Sequence, residues 1–213
     1  MPKSISDIRR DYGDTPLIKQ HINPNPFTQF EQWLNAAVES ELLDPTAFSL
    51  ATVDENQCPD ARMLLLKGIM DEKFIFYSNN QSHKGAQLQH NPNAAMNFYW
   101  APWSRQVRVR GVIEMVDQSI SEQYFKSRPI DSQISAIISE QSQVIPNRAL
   151  LEEKAKAYKD THQADEITCP AHWQGYALVP SMIEFFQGRD NRLHDRIRFQ
   201  KSANGWVMDR LSP

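Results

Sequence analysis

Cysteine is nearly absent from this chain of 213 residues: Cys58 and Cys169 are the two present, far apart and with no Cys/His set at zinc spacing. Neither a disulfide framework nor a metal site is suggested; sequence leaves a lone disulfide open, and two reduced thiols are the expectation. Long apolar runs are missing too, so no segment is expected to cross a bilayer. Residues 1–7 lack the apolar core of a secretory signal, and a soluble cytoplasmic protein is the expectation. Excess charge is lacking as well, since 23 Lys and Arg stand against 26 Asp and Glu for a net charge of −3. No global positive field recruits nucleic acid or an acidic membrane, so neither is an expected partner. Any anion site must come from local clusters. Neither GxGxxG nor a P-loop occurs, which disfavours a βαβ nucleotide fold, and there is no repeat or low-complexity tract.

What is present is patterned mostly for strands. Strand-like, β-rich segments cover 47–53, 60–70, 73–78, 94–100 and 106–116, joined by short polar connections, and return at 175–187, 194–200 and 206–211. Asn204-Gly205 between the last two is a type I′ hairpin signal. An amphipathic helix is expected over 27–43, where Phe27, Phe30, Trp33, Leu34, Ala37, Val38 and Leu42 recur at helical spacing behind Asn25-Pro26. A short helix is expected at 82–90, and others at 119–127, 132–139 and 148–162, punctuated by Pro129 and Pro146. Strands separated by turns rather than by regular crossover helices argue for a mainly β, mostly antiparallel barrel with peripheral helices, an α+β arrangement. The length suits one domain over 1–213, with 1–26 a polar arm lying on the body and 27–213 the barrel and its helices.

Charged groups fall in patterns that folding alone does not require. Arg192, His194, Arg196 and Arg198 alternate with Leu193, Asp195, Ile197 and Phe199, so an extended chain puts all four basic groups on one face. Such a face meets either solvent or an anion; the polar turn 187–191 before it favours a phosphate. Gln106, Arg108 and Arg110 share a face opposite two valines, and either a heterocycle edge or solvent accounts for them. Arg62 and Lys67 bracket an apolar strand at a spacing of five, so they fall on opposite faces unless the strand is broken; both are explained as well by charges at the ends of a buried strand. Ser82 is a good N-cap, and Lys84 beside the following amides makes a plausible phosphate pocket.

Taken in order, these stretches resemble the pyridoxine (pyridoxamine) 5′-phosphate oxidase family. The likeness rests on Arg62 to Lys67 with Gly68, Phe76-Tyr77-Ser78, Ser82 to Gly85 with Gln87-Leu88, Arg105 to Arg108, and Tyr124-Phe125 with Ser127-Arg128-Pro129. It continues through Asp131-Ser132-Gln133, Gln141-Ser142, Ile183-Glu184-Phe185, Gln187-Gly188-Arg189 and the specific run Asn191-Arg192-Leu193-His194-Asp195-Arg196, closing on Arg210 to Pro213. The resemblance implies an FMN-binding split β-barrel, homodimeric, with the flavin at the subunit interface. It implies oxidation of pyridoxine or pyridoxamine 5′-phosphate to pyridoxal 5′-phosphate by O2, giving H2O2, and ammonia from the amine, as the last step of vitamin B6 cofactor synthesis and salvage. It gives flavin contacts to Arg62, Met63, Leu64, Leu65, Leu66, Lys67, Tyr77, Ser78, His83, Lys84, Gln106, Gln141, Ser142, Phe186 and Arg196. Substrate falls to Arg9, Arg10, Asp11, Tyr12, Lys67, Tyr124, Arg128, Ser132, Arg192, Leu193 and His194, with Arg192 and His194 over the reacting face. His83 and Phe186 stand where the family usually carries Arg and Trp.

Overall fold

The structure, a computed structural model, describes residues 4–7 and 11–213. Nine strands form one antiparallel sheet in the order β2-β1-β5-β6-β7-β4-β3, with β8 on β7 and β9 on β8. They are β1 Ala47–Val53, β2 Pro59–Leu65, β3 Gly68–Met70, β4 Lys73–Asn79, β5 Asn93–Trp100, β6 Arg105–Met115, β7 Trp173–Gln187, β8 Asp195–Ser202 and β9 Gly205–Leu211. The sheet divides along β7. Its first half pairs with β4, from Asn79↔Trp173 to Phe74↔Leu178, and its second half with β8, from Met182↔Gln200 to Gln187↔Asp195. Pro180 lies between the two ladders, where a residue without an N–H loses nothing, and the β6–β7 register shifts at the same level, between Arg110 and Gly111. The sheet therefore curls without closing, which is a split barrel.

Period-two alternation builds the core. Phe48 and Leu50 on β1, Met96 and Phe98 on β5, Val107 and Val109 on β6, and Ile183 and Phe185 on β7 all point inward and are fully buried. Helix α1, Pro26–Val38, lies across them, with Phe30 edge-on to Phe74 at 5.0 Å and to Phe98 at 4.9 Å, and Trp33 edge-on to Phe185 at 5.3 Å. Each such ring contributes about 2–3 kcal/mol through buried area. Asn25 caps α1 by accepting the Phe27 and Thr28 N–H groups, with Pro26 at the first helical position. A second, smaller cluster of Phe125, Ile134 and Ile167 packs beneath α3 Gln118–Ser127, α4 Ile130–Ile138 and α5 Ala149–Thr161.

Several expected boundaries move. Helix α1 stops at Val38, not residue 43, because Ser40 Oγ takes the Ala37 carbonyl at 2.7 Å and Leu43 is left 94% exposed. The single strand over 60–70 is two, broken at Leu66 and Lys67. The hairpin at the end is not type I′: the turn residues are Ala203 and Asn204, neither with positive φ, and Gly205 alone takes φ +106 at the start of β9. That matches a type I turn closed by a glycine bulge. The arm also contributes more than a surface strap, since Leu17 and Ile22 join the core.

Candidate functional site

The first group of candidate residues gathers along the edge of β2, in an open groove of about 370 Å3 lined by Arg62, Met63, Leu64, His83, Lys84, Gln141 and Ser142. Arg62 is held on all sides. Its Nη1 donates to the Thr52 hydroxyl at 2.6 Å and the Leu50 carbonyl at 3.2 Å, and its Nη2 to Asp60 at 2.6 Å and Gln87 Oε1 at 3.0 Å. Gln87 belongs to α2, His83–His90, so this network ties the strand to the helix whose N-terminus faces the groove. Ser82 caps α2 by accepting the Gly85 N–H, and the His83 N–H donates to Ser142 Oγ at 3.3 Å. Lys84 is 7% exposed and donates to Ser82 Oγ and to Gln141 Oε1, each at 3.1 Å. Among the described residues no carboxylate pairs with it. Burial, with Arg62 nearby adding to it, pushes its pKa down to about 8. Asp60 lines the same groove and its charge acts the other way, but it is engaged by Arg62 and Gln87 and makes no ion pair with Lys84.

A second group lies next to the first, through β4 and the loop into α2. Tyr77 on β4 stacks on Tyr124 of α3 at 4.0 Å and lies parallel to Trp173, 6.4 Å away. Arg128 caps the C-terminus of α3, one turn beyond Tyr124, and its guanidinium sits 4.2 Å above the Trp173 ring. Its Nη1 is buried without a partner. Burial lowers the Arg128 pKa from its ordinary value. Ser132 falls in the first turn of α4, and Ser78, buried, follows Tyr77.

The third group occupies the outer face of β6, β7 and β8. Gln106, Phe186 and Arg196 form one cross-strand row, and Arg108, Glu184 and Arg198 the next. Glu184, 2% exposed, divides its oxygens between Arg196 Nε at 2.8 Å and Arg108 Nη2 at 2.5 Å. Burial acts to raise its pKa, but the hydrogen bonds from Arg196 and Arg108 outweigh it and the net direction is down. Arg198 pairs with Asp209 at 2.9 Å. The expectation of one extended basic face therefore fails twice. The chain is not extended before Asp195, and the two arginines that are on β8 carry acid partners.

Residues 190–192 instead form a tight turn in which Asn191 and Arg192 take φ +57 and +59. A non-glycine such as Arg192 in that region stores strain, a feature that clusters at functional sites. His194 Nδ1 accepts the Arg189 N–H at 3.0 Å, which places the proton of the neutral ring on Nε2. The ring packs on Phe186 at 5.0 Å and on Tyr12 at 5.2 Å. Asp190 Oδ1 accepts the N–H groups of Tyr12 and Gly13, and Arg189 pairs with Asp14, so the arm is clamped onto this turn. Gly188 makes the clamp possible: a Cβ there would lie 2.6 Å from Ser104 and 2.8 Å from the Tyr12 ring.

Lys67 joins none of these groups. The break after β2 turns it into a separate groove with Glu31 and Asn35 of α1. Leu66 is buried in the core and its N–H is taken by the Thr46 carbonyl, whereas Met63 and Leu65 are exposed. Leu193 is 71% exposed beside His194, and Asp11 is exposed on the arm; Arg9 and Arg10 lie outside the described residues. Sequence reasoning gave no role to Glu184 or Gln87, which stood only in the stretches that carry the family likeness, and it missed Trp173, Thr52 and Asp60. An acid inside the apolar run 182–186 was a signal for Glu184; nothing marked Trp173, Thr52 or Asp60.

Residues 34–162 match the profile of the pyridoxamine 5′-phosphate oxidase family, and residues 173–213 that of the pyridoxine 5′-phosphate oxidase C-terminal dimerisation region. The chain belongs to the pyridoxamine 5′-phosphate oxidase family. A relative from Legionella pneumophila (strain Lens), named pyridoxine/pyridoxamine 5′-phosphate oxidase, is 46% identical over 99% of this chain and 98% of its own. One of the same name from Gloeothece citriformis is 45% identical with both chains fully covered. The solved structure of PhzG from Burkholderia lata, in complex with tetrahydrophenazine-1-carboxylic acid, superimposes with a TM-score of 0.85 at 25% identity, covering 95% of this chain and 100% of that one. An FMN-binding protein from Nostoc punctiforme, at 16% identity and a TM-score of 0.72, covers 93% of this chain and 100% of its own and shares the fold of this oxidase family. No helix among the described residues is long and apolar enough to cross a membrane.

Proposed function

We propose that this chain is an FMN-dependent oxidase that converts pyridoxine or pyridoxamine 5′-phosphate to pyridoxal 5′-phosphate, as a homodimer with flavin sites between subunits. The observation that carries the flavin assignment is Lys84, a buried ammonium with no carboxylate partner in a groove it shares with Arg62, His83 and Ser142. Those residues fit a flavin phosphate, with Gln141 and the exposed Met63 near the remainder of the molecule. When bound, FMN supplies the two-electron acceptor that O2 regenerates, with release of H2O2.

The chain's own residues bind, orient and handle protons. Arg128, Tyr124 and Ser132 take the substrate phosphate, because the buried Nη1 of Arg128 has no other acceptor. Lys67, which lies in a separate groove beside α1, is given no contact with that phosphate by the geometry of this chain. Arg192 and His194 sit over the reacting carbon. His194, whose Nδ1 is occupied by the Arg189 N–H, exchanges protons through Nε2. Tyr12, packed on His194, shields that face from water.

The sheet order supports the reading of a two-subunit site. Gln106, Phe186 and Arg196 lie three, four and five strands from Arg62, about 14–24 Å along the sheet at ~4.8 Å per strand. In the proposed dimer a second copy brings its outer face to the β2 edge, so that the two sets meet round one ring system. The match to a dimerisation region over 173–213, which contains Phe186 and Arg196, supports this.

The test is direct. The purified protein should be yellow, and pyridoxine 5′-phosphate in air should yield equal amounts of pyridoxal 5′-phosphate and H2O2. A flavoprotein that oxidises a reduced phenazine carboxylate and ignores the phosphorylated pyridine would point to the PhzG-like reading instead.

A further inference from the structure

Outside the groups already given roles, Trp173 stands at the start of β7 with no function attached, yet it touches both halves of the second cluster. We infer that Trp173 is a positioning residue for Arg128 and thereby sets affinity for the substrate's phosphate; this rests on the reading of Arg128 as a phosphate ligand. Four observations converge on it. The Arg128 guanidinium lies 4.2 Å above the indole and 5.9 Å from the Phe125 ring, so its flat face is held by aromatic surface. No carboxylate among the described residues pairs with Arg128, and its Nη1 is buried without a partner. Trp173 Nε1 is itself buried without an acceptor, so ring contacts, not a hydrogen bond, fix the indole. Finally, Trp173 lies within 3° of parallel to Tyr77, which stacks on Tyr124. Tyr124, Tyr77, Trp173 and Arg128 thus form one layered unit.

The physical consequence is orientation. Stacking on an indole leaves the guanidinium edge, with its donors, as the part free to meet an anion, while the charge stays attracted to the ring face. Without the ring the side chain regains its rotamers, and ordering it again weakens each phosphate contact.

The experiment compares Trp173→Leu, Trp173→Phe and Arg128→Ala in the FMN-loaded protein, measuring pyridoxal 5′-phosphate affinity by equilibrium dialysis, KM and kcat for pyridoxine 5′-phosphate, and FMN affinity by flavin fluorescence. Trp173→Leu should weaken pyridoxal 5′-phosphate binding and raise KM about tenfold, with kcat and FMN affinity within about twofold. Trp173→Phe, which keeps a weaker ring, should recover most of that loss. Added to Arg128→Ala, Trp173→Leu should cost nothing further. Should Trp173→Leu not fold, Trp173→Phe in the presence and absence of Arg128 carries the same comparison. Unchanged affinity in both Trp173 variants, or the same loss when Arg128 is already gone, overturns the positioning role. Arg128→Ala with unchanged affinity overturns the phosphate reading beneath it, a result separable from the first.

Discussion

Lys84→Met separates the cost of holding a buried charge from the use the protein makes of it. The methionine keeps the unbranched chain and removes the ammonium. In the wild-type apoprotein, burial drives the Lys84 pKa from its ordinary 10.5 to about 8. At about 1.4 kcal/mol for each factor of ten, holding the charge at pH 7 costs about 3 kcal/mol. Against this, the substitution forfeits the hydrogen bonds to Ser82 Oγ and Gln141 Oε1, about 1 kcal/mol each. Apo Lys84→Met should therefore be more stable by about 1 kcal/mol, with Tm about 2–4 °C higher for a domain of this size. The sign of the pH dependence is equally specific. Between pH 8 and 10.5 the unfolded lysine keeps a proton that the folded one has lost, so wild-type apo stability rises with pH across that window. Lys84→Met should lack the rise. FMN affinity should move the other way, falling about 10- to 100-fold with the loss of a charge-assisted bond. Thermal melts of the apoprotein at pH 7 and 9.5 and a flavin fluorescence titration decide the matter. A variant apoprotein that melts below wild type, or that binds FMN as tightly, refutes the reasoning.

Three further outcomes follow from the outer face and its turn. Glu184→Gln neutralises a carboxylate held between Arg196 and Arg108; because both arginines are partly exposed, the expected loss is about 2 kcal/mol, or a Tm lower by about 4–8 °C at pH 7. Since the folded pKa of Glu184 lies below its ordinary 4.5, its stabilisation is full above that value and disappears as pH falls through the lower one, so the gap between variant and wild type should narrow in acid; a gap constant from pH 7 down to acid unfolding would contradict this. Arg192→Ala should lower turnover far more than FMN affinity, and an equal loss of flavin would remove Arg192 from the substrate side. Phe186→Trp should bind FMN more tightly with little change in kcat, because the ring beside His194 gains an indole donor; an unchanged flavin dissociation constant would count against it.

Most strands and helices were legible because apolar periodicity is local: β1 spans Ala47–Val53 as read, and β4, β5 and β6 end within a residue or so. The misses share a cause, a long-range or side-chain contact overruling a local pattern. Ser40 ends α1 by taking a helix carbonyl, and the 60–70 strand breaks where Leu66 turns into the core. The site was legible by type but not by place. Nothing in the spacing of Arg62 and Arg196 says that four strands separate theirs, and the ordered motifs carried the assignment to one family.

The basic run 192–198 shows what the fold adds to such a pattern. Read as a strand, it is four like charges on one face with nothing to balance them. Folded, it is a strained turn followed by a strand whose two arginines already have carboxylates. Arg196 shares Glu184 with Arg108 and reaches the Ser212 carbonyl, so its position is set before any ligand arrives. Among the described residues Arg192 has no such tether, and it is exposed on a backbone bent into the left-handed region. A rigid arginine suits a cofactor that stays bound through every turnover. An exposed one beside His194 suits a substrate that enters and a product that leaves, because its side chain keeps the freedom to meet each in turn, and a strained backbone of this kind clusters at functional sites.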